Sequence, residues 1–357
     1  MTRAPENRAI GSALLAAFLF GISTPIAKGL LAGLSPQLLA GLLYLGSGVG
    51  LGGLWILLRR RTALEASLTR RDLPWLSGAS FFGGILGPVL LLIGLRTTFS
   101  SMASLLLNLE AVFTAILAWT LFREHVGRKF TIGMIAILTG SALISWQGNI
   151  GEGGFLGPLA VAGACLCWAI DNNLTQKVSS GDPMQIGAIK GLVAGTVNTT
   201  LGIGLQSVWP TPLSTASSIL VGFFCYGLSL MFFVRSLRTL GTAGTSAYFS
   251  SAPFVGALVG LLILGDPVTQ FFIVGSLAMG IGVLFCATER HEQLHTHETL
   301  YHTHRHVHDE HHQHEHGPDH VGPEPHSHPH SHINLVHSHP HYPDIHHRHH
   351  HKKPRVD

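Results

Sequence analysis

Three ionisable residues of this chain stand inside long apolar stretches: Glu110, Asp171 and Lys190. A charge is costly in an apolar environment, so such residues are candidates for ligand binding or proton transfer when they face the protein interior. Glu110 is the first candidate for a carboxylate that binds a cation or carries a proton. The alternative is a structural glutamate that shares a proton with Asn108 or Tyr248.

A second group of potential ligands lies at the C-terminus. Of the 25 histidines, all but His125 fall in residues 291–357. Imidazole commonly binds borderline divalent metals, so the tail is predicted to bind Zn, Ni, Co or Cu and to release them below pH ~6.5. The tail has few large apolar residues and is predicted to be disordered. The candidate ligands are His302, His304, His306, His308, His326, His328, His330, His332, His337, His339, His341, His346 and His347.

The rest of the chain is almost entirely apolar. Only 11% of the residues are charged, against about 25% in ordinary globular proteins. Apolar runs long enough to cross a bilayer recur, and their backbone polar groups must be bonded internally, which predicts helices. The sequence therefore predicts an all-α polytopic membrane protein with ten transmembrane helices, at residues 9–31, 36–58, 74–95, 99–121, 130–147, 156–178, 183–205, 215–237, 243–264 and 268–288.

The basic residues predict the orientation of these helices. With the N-terminus in the cytoplasm, the inner loops carry most of the Arg and Lys, whereas the outer loops and span ends carry only Lys28 and Arg96. This bias is the one expected of cytoplasmic loops. The prediction is a protein of a bacterial-type inner membrane with both termini, and hence the histidine tail, in the cytoplasm.

An internal repeat relates the two halves. Residues 94–147 align with 236–289 without a gap, and Leu95-Arg96-Thr97 falls on Leu237-Arg238-Thr239. Ser35-Pro36 corresponds more weakly to Asp182-Pro183. Five helices in each half is an odd number, so the halves must insert in opposite directions, an arrangement typical of secondary transporters.

The predicted organisation follows from this repeat. Residues 1–147 form the first five-helix repeat, residues 148–155 an outer linker and residues 156–289 the second repeat. Residues 290–357 form the disordered cytoplasmic tail.

The repeated unit resembles the drug/metabolite transporter superfamily and its EamA-type members. It reads SSMASLLLNLEAVFTAILAWTLFREHVGRKFTIGMIAILTGSAL in the first half and GTSAYFSSAPFVGALVGLLILGDPVTQFFIVGSLAMGIGVL in the second. The resemblance implies a ten-helix transporter whose central cavity opens alternately to either side. Two positions depart from the family pattern: its proline is Pro253 in the second half but Ala111 in the first, and Tyr44 replaces a basic residue.

Several polar residues are candidates for the cavity wall. Asp171 and Lys190 lie at the same depth in consecutive antiparallel helices, which allows an ion pair, either structural or functional. Asn172 and Asn173 add hydrogen-bonding capacity. Ser23, Thr24 and Pro25 form the corresponding stretch of the first helix, where the proline either frees a carbonyl toward the pathway or merely kinks the helix.

The leading functional hypothesis is a secondary transporter, not an enzyme, that moves a small polar or amphipathic metabolite with protons by alternating access. It needs no cofactor, and ATP-driven pumping is not indicated because no phosphate-binding loop is present. The expected partners are a small solute and the bilayer, without nucleic acid; a homodimer is left open. The alternatives are a divalent-metal (Ni, Co or Zn) transporter with a metal-collecting tail, and a membrane-anchored metal sensor or buffer.

Overall fold

The computed structural model describes the chain in segments. These are residues 3–62, 68–122, 128–146, 154–178, 182–205, 210–233, 235–236, 245 and 248–288, followed by 292–296, 301–306, 326–331 and 336–340. The described part up to residue 288 is helical.

The first half contains seven α-helical segments. They are α1 (Arg3–Leu30), α2 (Pro36–Thr62), α3 (Leu73–Ala79), α4 (Gly87–Thr97), α5 (Ser100–Leu106), α6 (Leu109–Phe122) and α7 (Arg128–Ser145). A π-helical segment, Ser80–Leu86, joins α3 to α4 so that the two continue as one rod. Helices α5 and α6 are separated only by a turn at residues 107 and 108.

The second half contains five α-helical segments in the described residues. They are α8 (Leu156–Gln176), α9 (Pro183–Leu205), α10 (Pro212–Val221), α11 (Ala252–Ile263) and α12 (Gln270–Thr288). Helix α10 continues through a second π-helical segment, Gly222–Leu228, as far as Phe233. The N-terminus of α9 uses a capping residue that the sequence provides: Asp182 Oδ1 accepts the Met184 amide at 2.9 Å, as expected of an N-cap.

Eight helices of the described residues are long and apolar enough to cross a membrane. Two further helices occupy predicted spans without meeting that measure. Helix α8 is 21 residues long but carries three consecutive polar residues, and α11 is apolar but only 12 residues long. The chain is an integral membrane protein, and the number of ten crossings stays a prediction.

The contacts between the two repeats follow an approximate two-fold symmetry. It is clearest where α2 packs against α9. Gly48 contacts Leu192, and Leu45 contacts Gly195. Residue numbers therefore rise on one helix as they fall on the other, so the helices are antiparallel. In the register set by Ser35-Pro36 and Asp182-Pro183, Gly48 corresponds to Gly195 and Leu45 to Leu192. The two contacts are copies of one another.

Helices α7 and α12 show the same relation. A methyl group at Gly133 would collide with the carbonyl of Gly282, and one at Gly140 with the carbonyl of Gly275. The predicted alignment pairs Gly133 with Gly275 and Gly140 with Gly282, so these contacts are again copies. Glycine permits this close approach in lipid, where no hydrophobic effect drives helices together. Equivalent helices run antiparallel, as the predicted inverted repeat requires.

Irregular segments also recur at equivalent positions. The π-helical segment Ser80–Leu86 reads SFFGGIL, and in the register of the repeat it falls on the π-helical segment Gly222–Leu228, which reads GFFCYGL. The turn at residues 107 and 108 has a near counterpart in a turn at residues 250 and 251, one residue beyond the equivalent positions 249 and 250. π-Helical segments within α-helices are often found at functional sites.

Four short strands lie in the C-terminal part: β1 (Glu292–Thr296), β2 (Tyr301–His306), β3 (His326–Ser331) and β4 (Val336–Pro340). β1 pairs antiparallel with β4, and β2 with β3. In these ranges the structure differs from the predicted disordered tail, because histidines alternating with other residues have the period of two that suits a strand. Two-stranded ladders are only marginally stable in water.

Candidate functional site

A break in the fourth predicted span positions Glu110. The chain leaves the helix at residues 107 and 108 and resumes it at Leu109. The side-chain amide of Asn108 donates to the carbonyl of Leu105 at 3.0 Å, which satisfies part of the interrupted backbone. Asn108 thus serves the turn, and Glu110 stands in the first turn of α6, near the middle of the Ser100–Phe122 segment.

Glu110 faces a neutral amide. Asn172 Nδ2 of α8 donates to Glu110 Oε1 at 2.8 Å and lies 3.5 Å from Thr114 Oγ1. The glutamate is enclosed by neighbouring helices, interacts electrostatically with Asp171 and Lys190, and is nevertheless partly accessible. Glu110 therefore lies between helices and keeps a small accessible surface.

The predicted ion pair between Asp171 and Lys190 is present. Lys190 Nζ lies 2.5 Å from Asp171 Oδ1 and 2.8 Å from Asp171 Oδ2. It also donates to Thr175 Oγ1 at 3.3 Å, and this hydroxyl in turn donates to Asp171 Oδ1 at 2.8 Å. An ammonium group has three donors, and all three are engaged here. The two charges thus neutralise each other and leave Glu110 uncompensated by Lys190.

The first π-helical segment forms the floor under this pair. A methyl group at Gly83 would occupy the space of the Asp171 carboxylate, so only glycine lets the carboxylate lie there. The carbonyl of Gly83 accepts two hydrogen bonds, from Tyr44 OH at 2.8 Å and from Trp168 Nε1 at 2.9 Å. These donors satisfy a carbonyl whose regular helical bonding the π segment disturbs.

The second π-helical segment contributes Tyr226. Its hydroxyl lies near the side chain of Ser23 of α1, and its ring centroid lies 5.8 Å from that of Tyr44. The Tyr226 ring also meets Phe20 of α1, edge to face, at 6.1 Å. Ser23 and Thr24, both predicted site residues, are both buried.

Two predicted site residues, Asn173 and Pro25, are placed differently from the expectation. Asn173 is buried, and its amide donates to the carbonyl of Ala169 on its own helix at 2.8 Å. Successive residues of a helix point about 100° apart, so Asn172 is exposed while Asn173 is buried. Pro25 leaves the carbonyl of Gly21 without its intrahelical donor, and this carbonyl packs against Gly256 of α11 instead of lining a pathway.

Pro253 and Tyr248 lie at the break in the other repeat. Pro253 is in the first turn of α11, where its missing N–H costs no helical hydrogen bond. The Tyr248 carbonyl accepts the hydroxyl of Ser251 at 2.7 Å. The predicted sharing of a proton between Glu110 and Tyr248 has no counterpart among the contacts of the described residues, in which Asn172 serves Glu110.

Sequence reasoning missed Tyr226, Trp168 and Asn198. Asn198 Nδ2 donates to the carbonyls of Gly84 and Ile85, each at 3.2 Å, and so supports the π segment as Trp168 does. A signal for this region was present in the sequence. SFFGGIL and GFFCYGL share the register of the repeat, and the alignment could have been extended toward the N-terminus to include them.

The described residues offer no evident metal site. Among the side chains that the structure describes, no group of three or more His, Cys, Asp or Glu could hold a metal ion. Of the predicted tail ligands, His308, His332, His341, His346 and His347 lie outside the described residues, and the others lie in strands. The register sets His302 opposite His330, His304 opposite His328 and His306 opposite His326. Metal binding by the tail stays a prediction.

Comparison with known proteins agrees with this architecture. The chain is 26% identical over 294 residues to an uncharacterized transporter of Methanothermobacter thermautotrophicus, an alignment covering 76% of this chain and 84% of the relative. It is 26% identical over 215 residues to the uncharacterized transporter YyaM of Bacillus subtilis, covering 56% of this chain and 69% of the relative. With YvbV of the same organism the identity is 23% over 301 residues, covering 82% and 96%.

A solved structure shares the fold. It superposes with a TM-score of 0.58 at 16% identity and covers 77% of this chain and 95% of its own. The sequence pattern of the EamA-like transporter family matches twice, at residues 7–146 and 155–288. Both matches together include most of the chain and coincide with the two halves whose contacts repeat. The chain belongs to the EamA-like transporter family, and it is a membrane transporter of small substrates.

Proposed function

We propose that this protein is a secondary transporter that moves a small polar or amphipathic metabolite across the inner membrane in exchange for, or together with, protons. The observation that carries this proposal is the environment of Glu110. Its carboxylate is enclosed between helices, partly accessible, and bonded to a neutral amide. Such a group can hold either a proton or a solute, which is the elementary requirement of coupling.

The pseudo-two-fold packing supports alternating access. When two repeats of similar structure run in opposite directions, exchanging their conformations produces a state that is open to the other side. The contacts of α7 with α12 and of α2 with α9 are copied between the repeats, so they can persist while the other helices tilt. The paired π-helical segments and turns are the places where the helices depart from regular bonding and can bend.

The asymmetry between the repeats supports the assignment of Glu110. In the register of the repeat, Glu110 corresponds to Ala252, which is buried against α1. If this position were required only for packing, similar side chains would be expected at the equivalent positions of both halves. The carboxylate is instead confined to one half, as expected of a single binding or coupling position near the centre.

A metal as the transported solute has less support. The site contains one uncompensated carboxylate, amides and hydroxyls, which is a poor ligand set for nickel or copper. The tail is predicted to lie in the cytoplasm, outside the repeats. We therefore keep metal transport and metal sensing as outcomes of the test.

The test uses the full-length protein in liposomes with a pH-sensitive dye inside. Amino acids, nucleobases, primary amines, Zn²⁺ and Ni²⁺ are added one at a time, and solute-dependent proton movement is recorded. We expect one organic solute class to move protons, and Glu110→Gln to abolish that movement. Asp72→Asn, which removes a carboxylate bonded to Thr69 outside the spans, is the matched control and should keep the wild-type rate.

Three results would contradict the proposal. Unchanged proton coupling in Glu110→Gln would remove the assigned role of that residue. Flux of Zn²⁺ or Ni²⁺ alone, lost when residues 291–357 are deleted, would favour the metal transporter. The absence of flux for every solute, with metal still bound by the tail, would favour the sensor.

A further inference from the structure

We propose that the ribbon formed by β2 and β3 is a zinc site, in which two neighbouring cross-strand histidine pairs hold one Zn²⁺ ion with four imidazoles. The site is separate from the helical repeats, and it uses a part of the chain that the transport function leaves without a role. It follows from the register of the two strands.

This register sets histidine opposite histidine three times in succession. The pairs are His302 with His330, His304 with His328 and His306 with His326. Residues two apart in a strand share a face, and so do residues that are directly paired, so all six histidines lie on one face of the ribbon. A shift of one residue would move the histidines of one strand to the opposite face, so the site depends on this register.

The spacing of these positions suits a single ion. Directly opposite residues of an antiparallel pair have Cβ atoms about 4.5–5.5 Å apart, and residues two apart along a strand are separated by about 7 Å. Two neighbouring pairs therefore mark the corners of a rectangle of about 5 by 7 Å. Imidazoles at four such corners can converge on one ion at the distance of about 2.0–2.1 Å that Zn–N bonds require.

The residue types of the two strands favour zinc over other ions. Neither strand contains Asp, Glu or Cys, so the ligand set is made of imidazole. Zn²⁺ accepts four nitrogen ligands in a tetrahedral arrangement, whereas Ni²⁺ and Cu²⁺ favour square-planar sites. Mg²⁺ and Ca²⁺ prefer carboxylate and carbonyl oxygens.

The middle pair, His304 with His328, is needed for every group of four. Three pairs in a row contain two overlapping groups of four histidines, and both groups include the middle pair. Without it, the two outer pairs are about 14 Å apart along the strands, which is too far to share an ion. The ribbon therefore holds one four-imidazole zinc ion, whichever outer pair takes part.

Zinc also stabilises the ribbon itself. A two-stranded ladder is marginally stable in water, and pairing β2 with β3 closes the chain between residues 307 and 325 at a cost in entropy. An ion held by both strands together offsets this cost by mass action. Protonation of the imidazoles below pH ~6.5 releases the ion, so this stabilisation is present at neutral pH and is lost in acid.

The pairing of β1 with β4 offers a smaller ligand set. It contains one cross-strand histidine pair, His295 with His337, and the neighbouring position on the same face pairs Gln293 with His339. Three imidazoles lie together there. Among the strands that the structure describes, only β2 and β3 bring together four.

The experiment titrates full-length protein in detergent with Zn²⁺ by calorimetry at a pH of about 7.5, above the usual pKa of histidine. The middle-pair variant is His304→Ser with His328→Ser, and the end-pair variant, which removes as many histidines, is His306→Ser with His326→Ser. The wild type should bind one Zn²⁺ more tightly than any further ions, and the end-pair variant should keep this tight ion. The middle-pair variant should bind it at least about 100-fold more weakly, because even the outer partners of metal ligands contribute about 10–100-fold in affinity.

Limited digestion with trypsin tests the strand pairing separately. Arg305 lies within β2, whereas Arg348 lies outside the described strands. Proteases cut preferentially where the chain is unpaired and exposed, so Zn²⁺ should slow cleavage after Arg305 relative to cleavage after Arg348 in the wild type and in the end-pair variant. This protection should be lost in the middle-pair variant.

Four results would overturn the zinc site. The first is a wild type without a tightly bound ion, and the second is an equal loss of zinc affinity in the two variants, which would mean that the histidines are interchangeable. The third is loss of the tight ion in His295→Ser with His337→Ser but not in the middle-pair variant, which would place the site between β1 and β4. The fourth is equal slowing of cleavage after Arg305 and Arg348. None of these results changes the outcome of the liposome assay, which tests transport by the helical repeats.

Discussion

Separating Asp171 from Lys190 should cost far more than removing both charges. Their side chains are only 11% and 17% exposed, and the Asp171 carboxylate lies against the backbone of Gly83. Lys190→Met leaves a buried carboxylate without its cation, and Asp171→Asn leaves a buried ammonium without its anion. Removing one partner of a buried pair typically destabilises a protein by about 3–5 kcal/mol. With the residual exposure, we expect about 3 kcal/mol for each single variant.

The double variant, Asp171→Asn with Lys190→Met, removes both charges of the pair. The amide oxygen introduced by Asp171→Asn could still accept the Thr175 hydroxyl, which lies 2.8 Å from Asp171 Oδ1 in the wild type. The double variant should therefore lose at least about 2 kcal/mol less than the sum of the two single variants.

The assay is reversible unfolding in mixed micelles, followed by tryptophan fluorescence as the fraction of SDS is raised. Free energies of unfolding come from the four proteins of the cycle, and Asp72→Asn controls for removing a partly exposed carboxylate outside the pair. Additivity of the two single variants within about 0.5 kcal/mol would refute the reasoning. It would mean that Asp171 and Lys190 do not stabilise one another. Asp171 would then have no more charge compensation from Lys190 than Glu110 has.

Two further predictions concern packing between the repeats. Gly133→Ala should destabilise the protein by about 1–3 kcal/mol, because the added methyl collides with the Gly282 carbonyl, whereas Gly53→Ala meets open space and should not destabilise it. Equal unfolding free energies for these variants would contradict the close contact. Asp266→Asn should cost about 1 kcal/mol, because Asp266 Oδ2 accepts the Ser101 amide at 2.7 Å and the Ser100 hydroxyl at 2.9 Å. A cost no larger than that of Asp72→Asn would show that this contact adds no stability.

The repeat could be predicted because the chain contains two similar segments, residues 94–147 and 236–289, that align without a gap. Gly133 and Gly140 align with Gly275 and Gly282 at a fixed separation, and the structure uses all four at reciprocal contacts. The count of helices was harder to predict from apolar runs alone. Helix α8 is long but carries three consecutive polar residues, and α11 is short because the chain turns at residues 250 and 251.

The composition and patterning of the sequence by themselves determined the class of protein, the position of most helices and the identity of the charged residues within them. Even the Asp171–Lys190 pair could be predicted, since consecutive antiparallel helices must place the two residues at equal depth. These features depend on local composition and on connections between neighbouring helices.

The composition of the site was decided by tertiary structure. Tyr44, Tyr226, Phe20 and Phe249 are far apart in the chain, and only the packing of one repeat on the other sets their rings 5.6–6.1 Å apart. Helical rotation likewise decided that Asn172 serves Glu110 while Asn173 returns to its own helix. Sequence spacing gives the depth of a side chain in a membrane, whereas the direction in which it points depends on neighbours that the chain supplies from elsewhere.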